Sequence, residues 1–269
     1  MKNEKIACSV GILTFNNEDT LRACLDSVSE FNEIIICDGG SIDKTLEIAK
    51  GYGCVVIEQD KKYKHPDNKI ADFSGVRNQM LDCAKNDWFA YVDSDEYFSK
   101  EVVEEIRSIV VNKDPKGCVF KMPRKYVVKD EIIECSSFYP NYQTRFFLKD
   151  RSTRFKKKVH ERVDPIPNQK LDTLENCVYV PWDKNMSDYI RKQNYYIDIE
   201  ANRLKHLSLW GWFRWVIVWQ FVSVLKYIVR YIRSLLICRG KHMPFCLEML
   251  KIRYIFRLMW RVSKKRFED

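Results

Sequence analysis

Three carboxylates close an apolar run in Asp87-Trp88-Phe89-Ala90-Tyr91-Val92-Asp93-Ser94-Asp95-Glu96. Trp88 to Val92 is short, aromatic and β-branched, the composition of a buried strand. In an open α/β sheet, ligands bind at the carboxyl ends of strands, near a switch point in the strand order. Asp93 and Asp95 therefore fall where a metal and a phosphorylated ligand are expected. Two aspartates one residue apart at an extended chain end can share one hard divalent cation, and Mg²⁺ and Mn²⁺ favour carboxylate and phosphate oxygens. The plainer alternative is a polar turn that caps the next helix, with Asp95 or Ser99 near its N-terminus.

Three other places carry comparable chemistry. Thr14-Phe15-Asn16-Asn17-Glu18 follows an apolar run and could hold a base and ribose, or cap a helix. In Asp38-Gly39-Gly40-Ser41 the glycines allow a ligand close to the backbone, and Asp38 could accept hydrogen bonds from a base edge or ribose; a tight turn accounts for the glycines equally well. Arg77 could reach a diphosphate or pair with a carboxylate, although a solvated helix face is the commoner place for an arginine.

The elements that must position these groups alternate along the chain. Strands are expected at Ile6–Thr14, Glu33–Cys37, Cys54–Ile57 and Trp88–Val92. Helices are expected at 18–29, 44–50 and 70–84, with a charged loop at 61–68. Such a β-α-β-α-β-α-β order implies a parallel sheet covered by helices. After a helix at 101–111, the runs 117–122, 126–128, 131–137 and 144–148 predict antiparallel strands in a smaller mixed sheet. A polar helix follows at 188–206.

The 269 residues fit one large domain, or one domain and an appendage, with ample apolar content for a core. The boundaries expected are 1–184 for the main domain, split into 1–98 and 99–184, and 185–269 for a helical tail. The ten cysteines show no C-x-x-C or zinc spacing, and Cys37, Cys54 and Cys83 fall in segments expected to be buried, so all are read as reduced thiols of a cytosolic protein. Met1–Lys5 runs straight into a strand with no signal-peptide pattern.

The series resembles the inverting family 2 glycosyltransferases of the GT-A fold. The pieces that carry the likeness are SVGILTFNNEDTLRACLDSV, EIIICDGGSIDKTLEIA, DFSGVRNQMLDCAKNDWFAYVDSDE and RFFLKDRSTRFKKKVHERV, from residue 9 to about 163. The element Arg154, Phe155, Val159, His160, Glu161 is similar to bacterial transferases that extend lipopolysaccharide core, capsule or related surface glycans. The resemblance implies a GT-A (Rossmann-like), mainly parallel mixed sheet with helices on both faces as the catalytic domain (1–184), with 1–98 the nucleotide-sugar side and 99–184 the acceptor side, followed by the helical appendage. It implies that Thr14, Asn16, Glu18 and Asp38 hold the uridine of a UDP-sugar and that Arg77 approaches the nucleotide. By the same likeness Asp93 contacts ribose or metal, and Asp95 binds the Mn²⁺ or Mg²⁺ bridging the diphosphate. Many relatives have two adjacent acids at the second strand, where this chain has Cys37-Asp38. They also take their base from a Glu-Asp motif after the D-x-D, and none stands in that region here. Glu161 is therefore expected to be the catalytic base, with His160 orienting it or approaching the metal; the two roles could be exchanged, and a His-Glu pair bracing the loop before Pro165 is the plain alternative. Lys156–Lys158 could add positive charge near the diphosphate.

The net charge of +9 belongs to the tail: residues 185–269 hold 17 Lys/Arg against 6 Asp/Glu, and the remainder is −2. From Leu207 to Phe267 the only acid is Glu248, among Trp210, Trp212, Trp215, Trp219 and Trp260. Lys226, Arg230 and Arg233 recur at helical spacing, as do Arg253, Arg257 and Arg261. A basic, Trp-rich amphipathic segment suits an anionic membrane surface better than nucleic acid. One membrane span, or a helix pair packed on the protein or on a dimer partner, are the alternatives. The expected partners are thus a nucleotide-sugar, a glycolipid or lipid-linked glycan acceptor and the cytoplasmic face of an inner membrane, with a homodimer possible and no nucleic acid. A catalytically inactive membrane adaptor of the same fold, or a nucleotidyltransferase, are the rival functions; the second would want a Gly-rich, Lys-bearing first loop, which Thr14–Asn17 lacks.

Overall fold

Strand β1 (Ile6–Thr14) alternates its side chains between two helical layers. Cys8, Val10 and Ile12 pack with Leu21, Cys24 and Leu25 of helix α1 (Leu21–Ser27) and with Ile48 and Ala49 of α2 (Thr45–Gly51). The same layer holds Trp88, Ala90 and Val92 of β4 (Trp88–Asp93) and Val102, Val103 and Ile106 of α4 (Lys100–Val111). The intervening residues Phe89 and Tyr91 face the other way, with Ile35 and Cys37 of β2 (Phe31–Asp38), onto Val76, Met80 and Leu81 of α3 (Phe73–Cys83). A period of two in strands buried on both sides is what places helices on both faces. These elements belong to a computed structural model that describes residues 4–65, 70–112, 118–149, 154–156, 162–163, 171–182 and 186–267.

From the β3 edge the strand order begins β3-β2-β1-β4-β8-β6, where β3 is Val55–Glu58, β6 is Val119–Val128 and β8 is Tyr142–Leu148, and two short strands, Val178–Pro181 and Tyr97–Phe98, continue it beyond β6. The first four strands are parallel: β1 pairs with β2 on one side and β4 on the other, and β3 pairs with β2. The chain therefore reverses its direction of winding at β1, which creates the crevice where ligands collect in such sheets. β8 is antiparallel to β4, and β6 is antiparallel to β8. The antiparallel strands thus extend the parallel sheet and do not form the separate smaller sheet expected. The two segments anticipated on either side of Pro123 are one strand, with Pro123 opposite Tyr142.

Helix starts follow their caps. Asp72 is extended and accepts from the Gly75 N–H at 3.0 Å, so α3 begins at Phe73 and not at Ile70. Ser99 accepts from the Val102 N–H at 3.1 Å and starts α4, which settles which residue caps that helix.

Two compact units result: Met1–Lys125 with Pro140–Pro181, and Tyr126–Tyr139 with Trp182–Asp269. The second begins three residues before the sequence boundary and also takes the hairpin of β6's end with β7 (Glu131–Ile132). Within it, α5 (Met186–Leu204) runs beside α8 (Phe245–Phe267); Asn194 accepts from Arg257 at 2.8 Å, Asp198 from Arg261 at 2.6 Å and Asn202 from Lys265 at 2.7 Å. The α8 arginine row expected to face lipid is thereby partly consumed inside the unit. Between these helices, α6 (Leu209–Trp212), a π-helical segment (Phe213–Val218) and α7 (Trp219–Ile237) form one continuous helix.

Cysteine use differs from the reading as reduced thiols at one pair. Cys135 and Cys238 form a disulfide within the second unit, across a sequence separation of 103. Cys8, Cys24, Cys37, Cys54, Cys83, Cys118, Cys177 and Cys246 are free; Cys37 is buried as expected, whereas Cys83 is exposed and Cys54 half-buried.

Gly11 is needed for contact between sheet and helix. A Cβ there would lie 2.7 Å from Phe89 Cζ and 3.1 Å from Met80 Sδ. Gly11→Ala is expected to lower stability by about 1–3 kcal/mol through overpacking, read as a lower urea midpoint at unchanged m-value.

Candidate active site

The ends of β1, β2 and β4 are in register. Thr14 stands opposite Asp38, and Leu13 stands opposite both Cys37 and Asp93. The loops that leave these ends are cross-tied by polar side chains. The Asn16 N–H donates to Ser41 Oγ and the Ile42 N–H to Asn16 Oδ1, each at 2.9 Å. Asn17 N–H donates to Thr45 Oγ1 at 2.7 Å, Glu18 N–H to Asp43 Oδ2 at 3.1 Å, and Lys44 N–H to Glu18 Oε2 at 3.0 Å. Asn16 adopts φ 52° and Gly40 φ 95°, turns that asparagine and glycine tolerate.

Asp38 is the knot of these loops. Its Oδ1 accepts from Thr14 Oγ1 at 2.7 Å and Ser41 Oγ at 2.6 Å; its Oδ2 accepts from the Gly40 and Ser41 N–H groups at 2.8 and 2.7 Å. A carboxylate offers about four lone-pair positions, and these four bonds take them. Through these bonds Asp38 shapes the loop that follows β2. Lys64 donates to the Gly39 carbonyl at 2.7 Å and brings a half-buried cation to the same loop.

The tip of β4 is built differently, from alternating charges. Arg77 Nη2 donates to Asp93 Oδ1 at 2.9 Å, and Arg145 Nη2 donates to Asp93 Oδ2 at 3.0 Å. The same Arg145 nitrogen reaches Glu96 Oε2 at 2.6 Å, and Arg124 pairs with Glu96 Oε1. Both Arg77 and Arg145 lie over the Tyr91 ring, at 4.4 and 4.8 Å from its centroid. Arg145 is fully buried, and Glu96 and Arg77 are nearly so. Burial alone would raise the Asp93 carboxyl, but Arg145 and Arg77 outweigh it and hold it well below the usual carboxylate range. At Glu96 burial prevails, and the carboxyl is pushed up despite Arg145 and Arg124. Of the roles open to Arg77, the structure shows the carboxylate pair, and its burial excludes the solvated helix face.

Arg145, Glu96, Arg124 and Tyr91 had no role in the sequence reading. The signal was present in Tyr142-Gln143-Thr144-Arg145-Phe146-Phe147-Leu148, where a charge interrupts a strand of aromatics. A charged side chain at a core position must be paired.

Asp95 is half-buried two residues beyond Asp93. Among the described residues no three His, Cys, Asp or Glu side chains converge as a metal cluster. Asp93 has one guanidinium on each oxygen, which moves the metal assignment toward Asp95. A hard cation held there would take its other oxygens from a diphosphate and water, a mode typical of Mg²⁺. His160 and Glu161 lie outside the described residues, as do Lys157 and Lys158. The residues flanking them are anchored: Phe155 and Val163 are buried in the α3-side core, and Phe155 exchanges backbone hydrogen bonds with the Asn78 side chain at 2.9 and 3.1 Å. Lys156 is exposed on β9 (Phe155–Lys156), and Arg154 pairs with Asp82.

A family model described as Glycosyl transferase family 2 matches residues 9–166. The SPbeta prophage-derived glycosyltransferase SunS of Bacillus subtilis is 30% identical over 168 residues, which cover 60% of this chain and 35% of that protein. WfaP of Escherichia coli, a UDP-Glc:alpha-D-GlcNAc-diphosphoundecaprenol beta-1,3-glucosyltransferase, is 29% identical over 129 residues, 46% of this chain and 48% of its own. The chain thus spans about a third to a half of the length of these relatives. Among solved structures, S. aureus TarS 1–349 in complex with UDP-GlcNAc matches with a TM-score of 0.50 at 16% identity, over 96% of this chain and 90% of that one. The likeness to TarS is one of fold, and the fold is GT-A-like.

Removing Arg145 tests the charge chain. Arg145→Met leaves Asp93 with Arg77 alone and the buried Glu96 with Arg124 alone, removes the cation between the two acids, and is expected to cost about 3–5 kcal/mol. The loss should shrink as the pH falls and Glu96 takes up a proton, which urea titrations at neutral and mildly acidic pH would measure. A loss independent of pH would rule out charge as its cause.

Proposed function

The chain belongs to glycosyl transferase family 2, and on that footing we propose that it moves a sugar from a UDP-sugar to a hydroxyl of a lipid-linked glycan or glycolipid, with inversion. The reading extends to the subgroup that builds bacterial lipopolysaccharide core, capsule or related surface polysaccharide, on the strength of Arg154, Phe155, Val159, His160 and Glu161. It puts the protein at the cytoplasmic face of the inner membrane, where such an acceptor is anchored. The observation that carries it is the register-matched meeting of Thr14, Asp38 and Asp93 at the switch point of the sheet.

Each residue has a task in this reading. Thr14, Asn16, Glu18 and Asp38 set the two loops whose backbone walls the uridine. Arg77 and Arg145 keep Asp93 ionised and fixed, for ribose or for the metal's surroundings. Asp95 holds the Mn²⁺ or Mg²⁺, which when bound supplies Lewis-acid stabilisation for the departing diphosphate. Lys64, and Lys156–Lys158, add positive charge toward the leaving group. Glu161 takes the acceptor proton as general base with His160 orienting it, or the pair exchange roles. The proton must leave the acceptor oxygen as that oxygen bonds the anomeric carbon and the donor's bond to the diphosphate breaks.

UDP release across a panel of UDP-sugars, with Mn²⁺ or EDTA, is the deciding assay. Asp95→Ala is expected to lower metal-stimulated release by about 10²–10³-fold. Glu161→Gln is expected to keep donor binding and lose about 10²–10⁴ in transfer to an acceptor. A folded wild type that binds no UDP and turns over no donor would sink the reading in favour of an inactive scaffold.

A further inference from the structure

The helix Leu209–Ile237 is long and apolar enough to cross a membrane, yet of its residues only Val216 and Val224 are buried. Its faces divide into three sectors. Val216, Val224 and the half-buried Tyr227, Tyr231 and Ser234 face the rest of the second unit, where Tyr227 packs on Phe138 and Tyr231 on Phe245, with ring centroids 5.8 and 6.0 Å apart. On the opposite side, Val218, Val222, Leu225, Val229, Ile232 and Leu236 recur at helical spacing, and each is exposed. Along one border of that apolar stripe run Lys226, Arg230 and Arg233, all exposed, with Trp219 in line before them.

These sectors select one occupant. Exposed apolar patches of this extent mark an interaction surface. The three border cations make no hydrogen bond or ion pair among the described residues, unlike Arg257, Arg261 and Lys265 on α8, which bond to α5. The helix carries no acidic residue from 209 to 237, so a second copy of it offers these cations no counter-charge. Phospholipid headgroups offer it at the depth where an apolar stripe meets acyl chains. A span across the bilayer is disfavoured by the inward sector, which is held against the protein along α7 by Phe138 and Phe245. Trp210 (71% exposed) and Trp219 (52%) have the amphipathic rings that settle at the headgroup level.

We infer that the 209–237 helix lies in the plane of an anionic phospholipid surface, its apolar stripe in the acyl boundary and its Lys226-Arg230-Arg233 border on the lipid phosphates. This goes beyond the sugar-transfer reading and holds whether or not a donor is bound. At about 1.5 Å per residue the helix gives a contact about 43 Å long.

The test is co-sedimentation of the full chain with vesicles of phosphatidylglycerol and phosphatidylcholine in equal parts, against phosphatidylcholine alone, with tryptophan emission followed in parallel. Binding to the anionic vesicles with a blue shift is expected. Reversing all three border charges (K226E, R230E, R233E) should weaken it about a hundredfold, at roughly a tenfold loss or less for each cation. L225E with V229E should abolish it; circular dichroism and the thermal midpoint report whether each variant is folded. In native membranes, alkaline carbonate should release the protein. Failure to bind anionic vesicles, binding unchanged in both folded variants, or resistance to carbonate would each overturn the inference. So would L225E/V229E converting a dimer to a monomer while vesicle binding persists, because a second copy would then own the stripe.

Discussion

The first unit depends on one buried cation. Arg145 enters from β8, crosses the Tyr91 ring and places a single nitrogen between Asp93 and Glu96. Without it two carboxylates three residues apart would share a low-dielectric strand end, where like charges raise each other's pKa. With it, Arg77, Asp93, Arg145, Glu96 and Arg124 form an alternating chain that joins α3, β4, β8 and β6. Burial opposes the charge on Arg145, but Asp93 and Glu96 keep it protonated well above the ordinary arginine range. The network thus fixes the turn that presents Asp95, so the position of that half-buried acid follows from the ion pairs of its neighbours Asp93 and Glu96.

A second constraint works through backbone. Neither loop at the ends of β1 and β2 has regular secondary structure to hold it. Their amides are satisfied by Asp38, Asn16, Asn17, Glu18, Asp43, Ser41 and Thr45, mostly by side chains of the opposite loop. Reciprocal bonding of this kind makes the two loops one rigid rim. A rim already held in this way carries no ordering cost of its own.

Much of this could be read from the sequence because it is local. The apolar runs of β1, β2 and β4, the Asp-Gly-Gly-Ser turn and the Asp93-x-Asp95 pair are contiguous signals, and their order alone implied the parallel half of the sheet. What escaped depended on distant partners. Arg145 gains meaning only once β8 lies against β4. The Tyr126–Tyr139 segment joins the second unit through contacts such as the Glu134 and Cys135 amides on the Lys241 carbonyl, more than a hundred residues away in sequence. The Cys135–Cys238 bond escaped for the same reason, since neither cysteine has a neighbour that marks it. Those backbone bonds do not involve sulfur, so the hairpin has a hold on residues 241–243 that does not depend on the redox state of its surroundings.

The pairing of α5 with α8 carries a different implication. Asn194, Asp198 and Asn202 meet Arg257, Arg261 and Lys265 with a constant offset of 63 residues, so the helices run parallel. Both rows repeat every four residues. Sliding one helix by a single turn would set Arg257 on Asp198 and Arg261 on Asn202, with two rungs of the same chemical kind remade. The polar ladder is therefore degenerate and cannot choose its own alignment. That choice falls to the uneven apolar seam beside it, where Ile197, Ala201 and Leu204 meet Leu258 and Val262. Ala201 is the one small side chain in that seam, and a helix displaced by a turn would face a bulge where it now finds a notch.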